Sequence, residues 1–164
     1  MKKRYQVTGS GREKDKSICY AELLERTKWA NEFSWEQICT LARSIKAVKA
    51  KQDRVIFREG DLEKSMGIIV AGAIDIYKQG DRGMKKITTL HMSQTFGEMA
   101  LVDDEPRSAT GIANQSSVIF FLTRARLVAI ADENPSLGFK LLWKISKIIS
   151  QRLRSTTGKL VEHM

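Results

Sequence analysis

Apolar positions change their spacing twice along this chain, from a helical period that ends near Ile45 to a strand period from Arg54, and back to a helical period after Thr123. The first helical stretch predicts a helix from Ser17 to about Ala30, with Tyr20, Leu23 and Leu24 on one side. Ser34-Trp35-Glu36-Gln37 then reads as a capping box, a serine oxygen for a helix amide with a glutamine three residues on. The helix it opens should run to about Ile45 and bury Trp35, Ile38, Leu41 and Ile45. Period two takes over next. Strands are predicted at Arg54–Phe57, Met66–Val70, Ile74–Tyr77, Lys85–His91, Ser108–Ala113 and Val118–Thr123. Glu59-Gly60-Asp61, Ala71-Gly72 and Gly80-Asp81-Arg82-Gly83 supply turns between them. Short strands at roughly 8–12-residue spacing argue for a sandwich or jelly roll.

After Thr123 the helical period returns, with one helix over Arg124–Asn134 and a second opened by Pro135 and running to about Thr156. Proline suits a first helical turn, where its missing amide removes no bond. Leu137, Leu141, Leu142, Ile145, Ile148, Ile149 and Leu153 form a broad stripe. Such a stripe packs on its own domain, and part of it can serve a partner helix or close over a ligand. Residues 1–16 are polar, carry Gly9 and Gly11, and read as a flexible N-terminal arm. The rest, residues 17–164, reads as a single domain.

Composition narrows the class. At 164 residues, with 42% apolar and 29% charged residues, the chain suits one soluble globular domain. No apolar run approaches the roughly 18 residues that span a bilayer, and no apolar segment follows the basic Met1-Lys2-Lys3-Arg4. A cytoplasmic protein is expected, with Cys19 and Cys39 as reduced thiols and a disulfide between them as the lesser alternative. The net charge of +9 is spread over Lys2–Arg4, Lys46–Arg54, Lys85–Lys86 and Lys140–Lys159, without a groove-reading motif. It reads as a solvated basic surface. His91 and His163 sit in no metal or triad spacing, and Asp103-Asp104-Glu105 reads as a solvated acidic loop. Gly9-Ser10-Gly11-Arg12 lacks the Gly-Lys-Ser/Thr ending of a phosphate loop. No catalytic constellation emerges, and neither an enzyme nor a bound cofactor or metal is expected.

Residues 96–110, Phe-Gly-Glu-Met-Ala-Leu-Val-Asp-Asp-Glu-Pro-Arg-Ser-Ala-Thr, carry the most chemistry. Gly97 lets backbone approach a ligand closely, because it has no Cβ. Amides of the turn it starts can point at an anion. Arg107, nine residues after Glu98, offers a planar fork of donors suited to phosphate oxygens. Glu98 repels an anion unless the ligand supplies a hydrogen-bond donor, and a ribose hydroxyl does so.

In this order the motifs resemble the cyclic nucleotide-binding domain family, shared by bacterial catabolite activator proteins, kinase regulatory subunits and gated channels. The resemblance covers about residues 33–156. Phe57-Arg58-Glu59-Gly60-Asp61 is similar to the family's first glycine turn, and Ile68–Ile74 to its second strand pair. Phe96–Leu101 with Pro106-Arg107-Ser108-Ala109-Thr110 is similar to its phosphate-binding cassette. Two departures are His91-Met92-Ser93-Gln94, where the family usually has Pro-Gly-Asp, and Gly111, where a β-branched residue is commoner.

The resemblance implies a mainly β fold, an eight-stranded jelly-roll-like β-roll with flanking N-terminal and C-terminal α-helices. It implies a non-enzymatic sensor of cAMP or cGMP, with a lean to cAMP. Gly97, Glu98, Met99, Ala100, Arg107, Ser108 and Ala109 are the ligand-binding positions it implies. Glu98 would accept from the ribose 2′-hydroxyl, and Arg107 would pair with the cyclic phosphate. Amides near Ala100 and Ala109 would complete the anion cradle, and Ser108 would add a hydroxyl near phosphate and base. The last helix would be a mobile lid, or a contact for a protein partner or a second copy. A transcription regulator of the catabolite-activator type needs a helix-turn-helix after that helix. Few residues follow it, so specific DNA binding is not expected, and neither is a membrane. A scaffold that lost its ligand is the remaining alternative, and the retained Glu98 and Arg107 argue against it.

Overall fold

The computed structural model of the chain describes residues 13–162, with side-chain surroundings for 19–158. Most of the arm expected over residues 1–16 lies outside the described residues, as does His163. The first helix, α1 (Glu13–Glu25), starts within that arm and ends earlier than expected. Thr27 is the reason for the early end. Its backbone is extended and its hydroxyl bonds back to the Leu24 carbonyl at 2.6 Å, so a separate 3-10 turn forms at Lys28–Ala30.

The capping box is present at α2 (Trp35–Ser44). Gln37 N donates to Ser34 Oγ, and Ser34 N donates to Gln37 Oε1. Ile38 and Leu41 are buried as expected, Ile45 is half-buried, but Trp35 is 42% exposed. Phe33, just before the cap, joins Ile38 in the core instead, the pairing of a hydrophobic staple. Trp35 is left at the open end of the first turn.

Eight strands follow, all paired antiparallel in two four-stranded sheets. They are β1 (Lys46–Ala50), β2 (Val55–Phe57), β3 (Ser65–Ala71), β4 (Ala73–Gly80), β5 (Gly83–His91), β6 (Thr95–Phe96), β7 (Thr110–Ala113) and β8 (Ser117–Thr123). One sheet runs β1-β8-β3-β6 and the other β2-β7-β4-β5. This is the expected β-roll, although the last helix alone runs 28 residues and the helices hold more of the chain than the strands. Ser108 and Ala109, expected to open β7, precede it.

The sheet containing β3 is covered on both faces. Met66, Ile68, Val70, Phe120 and Leu122 join the helices in one core cluster. Ile69 and Ile119 join Phe57, Ile74 and Phe96 in a second cluster inside the roll. A strand buried on both faces reads as a continuous apolar run, and β3 does.

A short helix α3 (Glu98–Val102) interrupts the roll after β6. The chain closes with α4 (Arg124–Glu133) and α5 (Pro135–Glu162), which runs beyond the expected Thr156. Asn134 joins them. Its side chain accepts from Leu137 N at 3.0 Å, capping the amides that open α5. Leu137, Leu141 and Ile145 of the expected stripe are buried and Ile148 and Ile149 half-buried, while Leu142 and Leu153 face out. Both cysteines are free thiols.

Candidate functional site

Arg107 is built into the site from three sides. Its backbone is clamped by the first glycine turn, with Arg107 N donating to Asp61 O at 2.8 Å and Gly60 N to Arg107 O at 2.9 Å. Its guanidinium lies over the Phe57 ring, 5.1 Å from the centroid, and Nη2 donates to Ser65 Oγ at 2.9 Å. Ser65 in turn donates to Glu63 Oε1. Phe57 is held by stacking on Phe96 at 4.9 Å. It also lies across Gly111, where a Cβ would meet the ring at 2.3 Å. The glycine that departs from the family pattern is thus what lets Phe57 sit under Arg107.

Gly97 caps α3 with φ +76, a left-handed conformation open to glycine at little cost. A Cβ there would lie 1.8 Å from Arg107 Nη1. The guanidinium therefore occupies the space beside the cassette glycine. Glu98, the next residue, is 1% exposed. Arg152 of α5 pairs with its Oε1 and also donates to the Thr95 carbonyl.

Four buried side-chain polar atoms among the described residues have no hydrogen-bond partner, and three of them are Glu98 Oε2, Arg107 Nε and Arg107 Nη1. One is an acceptor and two are donors. Leaving such a group unpaired costs about 1–3 kcal/mol, more when it is charged. Burial pulls the Arg107 guanidinium below its ordinary value, against Glu63, Asp61 and Glu98, which hold it up. Arginine remains a cation under such conditions.

The other expected positions surround this pair. Ala100 is buried, Ala109 is half-buried, and Met99 and Ser108 are exposed. The Ser108 carbonyl accepts from Lys78 Nζ at 2.7 Å, and Lys78 also pairs with Glu59 of the glycine turn. First-turn amides of a helix have no intrahelical acceptor, which in α3 applies to the residues next to Glu98. The acidic loop is tied down: Asp104 pairs with Lys64 and Arg124, and Arg124 also donates to the carbonyls of Leu101 and Asp103. The His91–Gln94 turn works without Pro-Gly-Asp. Ser93 takes φ +73, and Gln94 Oε1 accepts from His91 N at 2.7 Å.

Sequence reasoning missed Ser65, Lys78, Arg124 and Arg152. A signal existed for Arg152. It lies seven residues after Ile145, on the buried stripe of the last helix, where a charge calls for a partner. No group of three or more metal-ligating side chains converges among the described residues. No helix among them is long and apolar enough to cross a membrane.

Comparison with known proteins agrees with this geometry. The family model described as the cyclic nucleotide-binding domain matches residues 47–134. A cGMP-dependent protein kinase of Eimeria tenella is 36% identical over 96% of this chain, which spans 17% of that kinase. A cAMP-dependent protein kinase regulatory subunit of Dictyostelium discoideum is 33% identical over 56% of this chain and 29% of its own length. The crystal structure of a cyclic nucleotide-binding domain from Methylobacillus flagellatus superposes with a TM-score of 0.79 at 23% identity, covering 90% of this chain and 84% of that one. With the family model matching from β1 to the end of α4, this chain belongs to the cyclic nucleotide-binding domain family.

Proposed function

We propose that residues 17–164 act as a single non-enzymatic, cytoplasmic sensor module that binds a cyclic nucleotide. The observation that carries this reading is the set of orphaned groups at the cassette. Glu98 Oε2 lacks a donor, and Arg107 Nε and Nη1 lack acceptors, all out of water. A cyclic nucleotide supplies a ribose hydroxyl for the first and an anionic phosphate for the second. Glu98 then selects a ligand with a free 2′-hydroxyl, while Arg107 supplies most of the affinity. Both groups are buried, so ligand entry is coupled to movement of α3 against α5, and Arg152 joins those two helices. Couplings of this kind are on the order of 1–3 kcal/mol.

Calorimetric titration of cAMP and cGMP into the wild type and Arg107→Ala tests the reading. Saturable heat is expected with the wild type, and binding about tenfold weaker or worse with the variant. Absence of heat for both nucleotides overturns it.

The resemblance leans to cAMP. A second reading, cGMP, has its own support. Ser108 beside Arg107 is exposed, with only its carbonyl engaged by Lys78. Guanine carries a 2-amino donor for such a hydroxyl, and adenine does not. The relative matching nearly the whole chain is also a cGMP-dependent kinase. The two arms of the titration separate these readings.

The output surface of the module is α5. Phe139 and Trp143 stack at 6.0 Å and are 68% and 61% exposed, and Leu142 and Leu153 of the same helix are also exposed. This supports docking of a protein partner or a second copy through the C-terminal helix. Sedimentation of the wild type against Trp143→Glu distinguishes self-association from a partner surface.

A further inference from the structure

Arg152 and Thr95 also line an open pocket of about 390 Å³ that the nucleotide reading does not use. Three elements line it and leave it open to solvent: the 3-10 turn at Lys28–Ala30, the turn before β6, and α5 from Lys144 to Ser155. Its volume falls at the small end of the range for small-molecule sites.

The lining is unusual for its charge. Lys28, Lys144 and Arg152 face it together with Gln94, Gln151 and Ser155, and no aspartate or glutamate does. Lys144 is the built element. It is 7% exposed, and its ammonium lies 5.5 Å from the Trp29 ring centroid and 5.8 Å from that of Phe33. An ammonium set against two adjoining aromatic rings is held in place rather than trailing in solvent. Trp29, which also lines the cavity, has a buried indole N–H without a partner among the described residues.

Two carboxylates oppose this charge from outside the cavity. Glu98 takes Arg152, and Glu32 takes Lys144 at 3.0 Å. The Lys144 hydrogen bond, with Lys147 and Lys140 nearby, holds the Glu32 carboxyl below its ordinary value despite partial burial. Three cations thus line the pocket, and Lys28 is the one of them without a carboxylate partner among the described residues.

We propose that this cavity is a second binding site, specific for a small phosphate- or carboxylate-bearing anion, and that it shares Arg152 with the cassette. An anion seated there meets the same guanidinium that pairs with Glu98. Occupancy of the cavity and the hold of α5 on α3 are therefore linked through one side chain. The small volume of the cavity favours a small solute over an extended macromolecule.

Inorganic phosphate and succinate serve as probes, with sodium chloride at matched ionic strength as reference and no cyclic nucleotide present. Melting is followed in the wild type, Arg107→Ala, Lys28→Glu and Gln151→Glu. Lys28 and Gln151 are exposed, so these two substitutions leave the core untouched. The expected result is a saturable rise in melting temperature with phosphate or succinate over chloride. It persists in Arg107→Ala and is lost, or needs at least tenfold more anion, in Lys28→Glu and Gln151→Glu. Phosphate against succinate tells which headgroup the site prefers. Three results overturn the proposal: no rise beyond chloride, a rise that survives both cavity variants, or a rise that disappears in Arg107→Ala alone. The last places the anion on the cassette. Because no nucleotide is used, the outcome is independent of whether the cassette binds one.

Discussion

Arg152 of α5 pairs with Glu98 of α3, residues 54 positions apart, and its second terminal nitrogen donates to the Thr95 carbonyl at the start of β6. One side chain thereby ties the last helix to both ends of the segment around Gly97. Glu98 keeps its other oxygen free of protein donors. The pair therefore fixes the carboxylate without exhausting it.

Removing Arg152 leaves a buried carboxylate unpaired. Truncating one partner of a buried pair costs several kcal/mol, and the Arg152 side chain is 41% exposed, which lowers the effect. Arg152→Ala is expected to lose about 1–3 kcal/mol in urea denaturation. Glu98→Gln and the double variant complete a cycle, and a coupling energy near zero would show that the contact carries nothing.

Gly97→Ala is expected to damage binding more than stability. The left-handed backbone itself costs an alanine about 1–2 kcal/mol. Its Cβ also enters the space of Arg107 Nη1, with the Ser65 carbonyl 2.7 Å away on the other side. The guanidinium can swing, and the carbonyl cannot. Nucleotide titration should show a loss of tenfold or more, beyond any fall in melting temperature. Unchanged affinity would mean that Arg107 does not hold the ligand from this position.

Asp75 on β4 sets an acid limit. Burial raises its carboxyl, and hydrogen bonds from Lys86, Thr89 and Asn114 outweigh that and draw it down to about 2. The unfolded chain titrates such a group near 3.9. A carboxyl depressed in the fold stabilises above the unfolded value, and this contribution disappears as the pH falls toward about 2. The half-exposed Lys86 is screened by water, so the contribution is on the order of 1 kcal/mol. The stability difference between wild type and Asp75→Asn should shrink across that window. A difference that stays constant from pH 5 to about 2 contradicts the depressed value.

Ser34→Ala isolates local from tertiary stability. Loss of an N-cap costs about 1 kcal/mol. Ser34 is exposed and its side chain accepts only from Gln37 N, so the melting temperature should fall while nucleotide affinity stays at the wild-type level.

The capping box, the turn glycines and the Glu98–Arg107 spacing were legible because each is a local relation, set by residues a few positions apart. The strand alternation and the apolar stripe of α5 were legible for the same reason. β1 was not. Lys46-Ala-Val-Lys-Ala carries two lysines and little apolar signal, and it is a strand because Ala47 and Lys49 stand against Phe120 and Val118 of β8. β6 is two residues long and exists only where Thr95 and Phe96 meet Ile68 and Gly67. The exposure of Trp35 followed from Phe33 taking the buried place.

Local chemistry along the chain thus determined the elements and the cassette that carries Glu98 and Arg107. Tertiary structure decided which charges stand unpaired and which are met. Arg152 reaches Glu98, and Lys144 lies against Trp29 and Phe33, only once α5 has folded back over the roll. Hydrogen bonds and ion pairs act over a few ångströms. Partners more than fifty and more than a hundred positions apart are therefore chosen by packing of the helices, not by spacing in the chain.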